Sequence, residues 1–475
     1  MHSKQIILKL SRNYPMILRR FLPTIAMTVA LPALSANFCV TEFGAVGDGR
    51  TDNTSAIQAA LDSCSASGGG SVIFPAGTYV SAPLALRSNV DMHMSPNSKL
   101  LANPDESLYK LSAFGANEGE GMMWLHGKDI ENFSISGTGR IDGNGVAFMG
   151  AELDDSYELK PVTTFDPRPH VLTLINAKKV NISDVTISNS AYWTVHLVGC
   201  YDVTIKGISL LNNLKIRNGD GIDIDHSRKV RISDCFIESG DDCICLKNRR
   251  EYEQYGPCED IVVTNCIMTS RSCSVKIGSE NMDRIANVFI SNCIIRDSNR
   301  GIGIQNRDEG SVENVTFQNI QLDCHLFSEV WWGQSEPIYV TSYPRAVGNH
   351  KDAGWRFPKG AKEGKCGPVK NIRFLDIYAT SENGVYIACD TPGKISDITL
   401  SNVNIDLVNN TSYEKGVYDR RPANVEGFIK GKSYGLMAEN VDGLNIRNFG
   451  VNASHFPAAL YGGELRIINC NRVRK

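Results

Sequence analysis

Short apolar-alternating runs recur along most of the chain. Val180-Asn181-Ile182-Ser183-Asp184-Val185-Thr186-Ile187 is echoed by Val203 to Leu210, Val230 to Ile237, Ile261 to Met268, Val288 to Ile295 and Val315 to Leu322. Successive runs start 23, 27, 31, 27 and 27 residues apart, and runs from Ile372, Ile398 and Leu444 continue the series. Within each run apolar residues alternate and then break at Asn, Asp or Gly, which is strand periodicity interrupted by turns. A unit of this length holds two or three short strands and cannot bury its apolar face alone, so neighbouring units must stack. Val and Ile dominate, as in parallel sheets packed on an inner face. The pattern predicts an all-β parallel β-helix.

Two stretches depart from this rhythm. Asp52-Asn53 followed by Ala56, Ile57, Ala60 and Leu61 reads as a short capped amphipathic helix. It would close the N-terminal end of the stack, whose bare strand edges would otherwise invite aggregation. The intervals from Val315 to Ile372 and from Ile398 to Leu444 are enlarged. The first contains Trp331, Trp332, Tyr339, Tyr343 and Trp355 and reads as a coil carrying a long aromatic loop; the second contains Tyr413, Tyr418, Arg420 and Arg421.

Before the repeats, Lys4, Lys9, Arg12, Arg19 and Arg20 precede an apolar run from Phe21 to Leu34, with small residues at Ala33, Ser35 and Ala36. This is the layout of a secretory signal peptide. Residues 1–36 are expected to be a signal and 37–475 one β-helix domain, secreted or periplasmic and monomeric. No other apolar stretch approaches a membrane span.

A net charge of −3 over 475 residues gives no electrostatic reason to propose nucleic acid or an anionic membrane as partner. Fourteen cysteines leave disulfides open. Cys235, Cys266 and Cys293 fall at equivalent places in successive repeats and read as a buried stack of small apolar side chains. No C-x-x-C pair has metal spacing, so a zinc site is not expected; no cofactor is expected.

The chemistry concentrates in Asn218-Gly219-Asp220-Gly221-Ile222-Asp223 and Ser239-Gly240-Asp241-Asp242-Cys243. Asp220 and Asp241 are 21 residues apart, about one coil, which can set Asp220 beside the Asp241-Asp242 pair on one outer wall. Clustered carboxylates repel, so their proton affinities move apart. One can remain an acid while another remains a base, as hydrolysis of a glycosidic bond requires. Aspartates beside glycine also serve as ordinary turn residues.

Together these features resemble glycoside hydrolase family 28, the polygalacturonase-like pectinases, from about residue 41 to the C-terminus. Asn218-Gly219-Asp220 resembles the family's N-T-D, Gly240-Asp241-Asp242 its G-D-D, and Gly139-Arg140-Ile141-Asp142-Gly143-Asn144-Gly145 its G-x-I-D-G-x-G; Ile277-Gly278-Ser279-Glu280 supports them. The resemblance implies a right-handed parallel β-helix and metal-free, inverting hydrolysis of α-linked galacturonan or rhamnogalacturonan. It also implies Asp241 as general acid, with Asp220 and Asp242 holding and deprotonating the attacking water. Inversion calls for roughly 6.5–9.5 Å between the carboxyls.

Two departures bear on substrate. Cys273 stands where the family has a His, and Gly303-Ile304-Gln305 stands where it has R-I-K. Both cations that would hold a sugar carboxylate there are absent. Either Lys247, Lys276, Arg300 or Arg307 replaces them, with Lys247 and Lys276 favoured, or the sugar in that subsite is not a uronate. By resemblance Asn218, Cys273, Gln305, Trp193, His196 and Tyr343 also belong to the substrate-binding set, with Trp193 equally readable as core and Tyr343 as an exposed loop aromatic.

Three functions compete. The first is an inverting hydrolase of a pectic polysaccharide, exo-acting if the loops after Glu329 and Val408 wall off one end of its groove. The second is a β-helix lyase that holds Ca²⁺ on Asp241-Asp242. The third is a carbohydrate-binding or adhesin solenoid in which the aspartates are turn residues.

Overall fold

In a computed structural model of the chain, the described residues are 36–114, 120–153, 158–162, 167–345 and 365–475. Residues 1–35 of the expected signal segment and Trp355 lie outside them. The strands run parallel in a broad sheet of 21 strands and a narrower one of 12, and two small antiparallel hairpins stand apart. This is the parallel β-helix the periodicity predicts.

The repeat starts are true structural equivalents. Val180, Val203, Val230, Ile261, Val288, Val315, Ile372, Ile398 and Leu444 pair in unbroken register along the broad sheet. All nine are buried, and with the next inward row they form a core column running the length of the described domain. Because Val315 pairs directly with Ile372, the 57-residue interval between them is one coil with a long insertion, as read from the sequence. Asn and Asp occupy the left-handed corners between strands, for example Asn287, Asn314 and Asn371 at φ 56°, 58° and 55°.

Helix α1 (Thr54–Ala66) buries Ile57, Ala60, Leu61 and Cys64 against the first coils. Asp52 caps it by accepting the Thr54 N–H at 2.9 Å. Asn53 instead ties the preceding loop together through Val46. All fourteen cysteines are free thiols, and Cys235, Cys266 and Cys293 are buried, as the stack reading requires.

The narrow sheet carries the motifs. Its strands Val195–Val198, Ile222–Asp225, Ile244–Asn248, Cys273–Asn281, Arg300–Asn306 and Ile338–Ser342 lie side by side. Inward rows such as Val195, Ile222, Ile244, Val275, Ile302 and Ile338 are purely aliphatic. The outward row reads His196, Asp223, Cys245, Lys276, Gly303, Tyr339. Strand alternation thus places a polar column on the outside of an apolar one.

Candidate active site

Asp220 and the Asp241-Asp242 pair sit in the turns that lead into two neighbouring strands of the narrow sheet. The Gly221 N–H donates to the Asp242 carbonyl at 2.8 Å, which fixes the stagger between them. Ser239 couples the two motifs, donating from its hydroxyl to the Gly219 carbonyl at 2.7 Å and accepting the Asp241 N–H at 3.1 Å. A Cβ on Gly240 would lie 2.3 Å from the Ile216 carbonyl oxygen, so the close approach of these turns requires glycine there.

One oxygen from each of Asp220, Asp241 and Asp242 lies within 4.8 Å of the others, and all three residues are buried. The three acids paired in the sequence are therefore brought together on one wall. The 4.8 Å bound applies to their nearest oxygens, whereas the roughly 6.5–9.5 Å associated with inversion is a separation between whole carboxyl groups.

A fourth carboxyl, Asp223, completes the cluster. Its alternating position on the strand does not single it out in the sequence; only the register with His196 and Cys245 shows it on the outer wall. Both its oxygens are buried without a hydrogen-bond partner, and Lys247 Nζ stands 3.7 Å away. Asp220 Oδ1 and Asp242 Oδ1 are likewise buried and unpartnered among the described residues.

The acids are not equivalent. Burial, reinforced by Asp223, Asp241 and Asp242, pushes Asp220 well above the usual carboxylate range. Burial does the same to Asp223, with Lys247 opposing. Asp241 is raised to about 6 by burial and by Asp242, moderated by Lys276, Lys247 and the Asn218 N–H at 3.1 Å from its Oδ2. Asp242 is the acid held by a cation, with Lys276 Nζ 2.8 Å from its Oδ2. Burial, the largest single influence, would depress the Lys276 ammonium, but Asp242 together with its other neighbours outweighs it and keeps the charge in place.

The other predicted residues divide into those that face this cluster and those that serve elsewhere. Lys247 and Lys276 face it. Lys247 also approaches Glu280 at 3.7 Å and lies 4.6 Å over the Trp193 ring. Asn218, at φ 56°, contributes its backbone N–H to Asp241, while its side-chain oxygen accepts from Arg168 at 3.2 Å. Its role is therefore positional. Arg168 also donates to the Ala191 and Arg217 carbonyls; it lies about three coils' worth of sequence from Asp241 and carries no motif of its own.

Trp193 packs with Ala113, Phe114, Met123 and Tyr192 in a cluster separate from the main core. His196 does not reach Asp220. Its Nε2 pairs with Asp225 at 3.3 Å, and burial lowers its proton affinity. Cys273 does not present a free thiol in place of the family His; its Sγ turns to the Val275 carbonyl at 3.2 Å. Gln305 Nε2 is committed to the Arg421 carbonyl at 2.6 Å. Tyr343 is not an exposed loop aromatic: it is 2% accessible and packed with Tyr339, Tyr386 and Tyr418.

Two long loops gather over the same wall. Arg421 donates to the Val330 and Trp331 carbonyls, Asp419 accepts the Gly333 N–H at 3.1 Å, and the Tyr413 hydroxyl donates to the Phe327 carbonyl at 2.8 Å. The insertions after Val315 and Ile398 are thus pinned to each other. The Tyr339 hydroxyl anchors them to the sheet through the Asp419 carbonyl at 2.7 Å.

Comparison with known proteins agrees with the geometry. Residues 73–326 match the family described as glycosyl hydrolases family 28, and residues 38–105 match rhamnogalacturonase A/epimerase, pectate lyase-like. A probable polygalacturonase of Vitis vinifera is 30% identical, the alignment covering 78% of this chain and 74% of that one. An exopolygalacturonase of Zea mays is 25% identical over 83% and 89% of the two chains. The fold matches that of a family 28 exopolygalacturonase from Yersinia enterocolitica with a TM-score of 0.71, at 18% identity over 93% of this chain and 78% of that one. With half its length under the family 28 signature and its acids gathered on one wall of a parallel β-helix, the chain belongs to the glycosyl hydrolases of family 28.

Proposed function

We propose that this enzyme hydrolyses α-glycosidic bonds in a pectic, polygalacturonate-like polysaccharide, working from a chain end and inverting the anomeric centre. The observation that carries the reading is the division of labour in the carboxylate cluster. Asp241, raised to about 6, keeps a proton in mildly acidic solution and gives it to the departing glycosidic oxygen. Asp242, held by Lys276, takes a proton from the attacking water. Asp220, whose proton affinity is raised by burial and by the neighbouring acids, holds that water together with Asp242.

The substrate class rests on the relatives, which are named polygalacturonases. Action from an end is supported by the two mutually pinned loops, which stand over the strands beyond Lys276 on the catalytic wall. The stereochemistry follows the family resemblance, and proton NMR of the first-formed anomer is the measurement for it. We further propose a secreted or periplasmic monomer, on the basis of the basic and apolar layout of residues 1–36; N-terminal sequencing and size-exclusion chromatography of exported protein test this.

The calcium-lyase alternative is disfavoured by Lys276 and Lys247, which already supply positive charge at the carboxylates. The deciding experiment gives purified protein polygalacturonate, rhamnogalacturonan and neutral galactan in EDTA, wild type beside Asp241→Asn. Reducing ends released by the wild type alone support the hydrolase. Activity that needs added Ca²⁺ and yields an ultraviolet-absorbing unsaturated uronate would replace it with the lyase, and saturable binding without turnover would replace it with a binding solenoid.

A further inference from the structure

Gly303 sits beside Lys276 in the outward row, one strand beyond it. The space a side chain would take there is filled from below and behind. A Cβ on Gly303 would lie 2.8 Å from Cys273 Sγ and 3.3 Å from Arg300 Cδ. Arg300 therefore crosses the position where the sequence lacks a cation, and at first sight replaces it. Its charge is nevertheless spent. The Arg300 guanidinium forms a two-pronged pair with Glu336, Nε to Oε2 at 3.0 Å and Nη2 to Oε1 at 3.2 Å, with both side chains almost fully buried. Glu336 also accepts the Gln334 N–H at 2.7 Å, and the guanidinium lies 3.7 Å over the Tyr339 ring.

The remaining candidate cations are no freer. Lys276 holds Asp242, and Lys247 stands between Asp223 and Glu280. Arg307 has no carboxylate partner among the described residues: its Nη atoms donate to neutral acceptors, among them Thr341 Oγ1 and the Arg420 carbonyl, and its Nε is unpartnered, but it is fully buried under the second loop's Arg420 and Arg421 carbonyls and so is shut off from a ligand on the outer face. A free sugar carboxylate entering here would shed its water and find Arg300, Lys247 and Lys276 already paired with carboxylates and Arg307 sealed away, which is unfavourable unless charge-assisted donors replace the water.

We infer that the subsite over Gly303 takes a sugar whose C6 substituent is uncharged, and that Glu336 sets this preference by neutralising Arg300. This rests on the hydrolase reading and narrows it. An uncharged C6 group belongs either to a methyl-esterified uronate or to a neutral hexose.

The test measures kcat and KM on free-acid polygalacturonate, on the same polymer highly methyl-esterified, and on neutral galactan. The wild type is expected to favour one of the two uncharged polymers over the free acid by about tenfold in kcat/KM; which one it favours identifies the source of the uncharged group. Glu336→Gln frees the guanidinium and should lower KM for the free acid, moving the ratio about tenfold toward it with kcat little changed. The double variant Arg300→Met, Glu336→Met removes both charges together, which buried pairs tolerate better than loss of one partner, and should keep the wild-type ratio.

A wild type that acts best on the free acid overturns the inference while leaving the hydrolase standing. So does an equal change of ratio in the single and double variants, which would make the pair merely structural. A wild type inactive on all three polymers and also on rhamnogalacturonan removes the hydrolase reading and this inference with it.

Discussion

The broad and narrow sheets share one inner logic and differ entirely on their outer faces. Inside, both present unbroken aliphatic columns in register. Outside, the broad sheet repeats itself. Asn371 donates to Asn314 at 2.8 Å, Asn314 to Asn287 at 3.4 Å and Asn287 to Asp260 at 3.1 Å, each rung satisfying the next. The outer row of the narrow sheet never repeats. It runs from an imidazole to a carboxyl, a thiol, an ammonium, a glycine and a phenol, and its one acid, Asp223, is buried with both oxygens lacking a hydrogen-bond partner. A stack built by repetition supplies rigidity, and one wall released from repetition supplies reactivity.

The contrast is most sharply tested by deleting chemistry from one wall. Asp241→Asn and Asp242→Asn should each lower kcat by 10²-fold to 10⁴-fold or more, about the worth of a positioned acid or base, with unfolding transitions intact. If either keeps full activity, the cluster is not the catalytic centre. Deleting packing should do the reverse. Phe317, stacked on Phe374 with ring centres 5.3 Å apart, is wholly buried, and Phe317→Ala should cost about 3–5 kcal/mol in denaturant unfolding while sparing kcat of the folded fraction.

A third measurement uses proton linkage. The folded-state proton affinity of Asp241 is raised, so its contribution favours folding below pH 4 and is lost as pH rises through about 6. Asp241→Asn should therefore stabilise the protein at pH 7 relative to pH 4, by on the order of 3 kcal/mol from a rise of about two pH units. Equal effects at both pH values would show that Asp241 is not strained by burial. By the same sign, activity should fall as pH rises past about 6, and Lys276→Met should carry that limb upward, because Lys276 lowers the proton affinity of Asp241. The smallest effect belongs to the repeating wall: Asn314→Ala should change stability by less than about 1 kcal/mol and activity not at all.

The same contrast explains what could be read in advance. Period and register belong to the repeating interior, so nine run starts from Val180 to Leu444 predicted the pairing register of the broad sheet from Val180 onward. The three aspartates were legible because Gly-Asp turns one coil apart must meet. Asp223 was not singled out, because a carboxyl on a strand looks like ordinary alternation until its neighbours are known. Arg168 and Glu336 act from loops distant in sequence, where no spacing rule reaches. His196 and Gln305 were placed on the right wall, but their partners Asp225 and Arg421 are chosen by side-chain direction and by a loop 116 residues away.

The free thiols have a practical consequence. Eleven of the fourteen are buried, and they sample the molecule from Cys64 in α1 to Cys389 near the second loop; Cys39, Cys366 and Cys470 are half-buried. A buried thiol cannot meet an alkylating reagent until its own level opens. Timed alkylation followed by peptide mass spectrometry would therefore read the solenoid as a row of gauges, reporting whether it frays inward from an end or yields all at once.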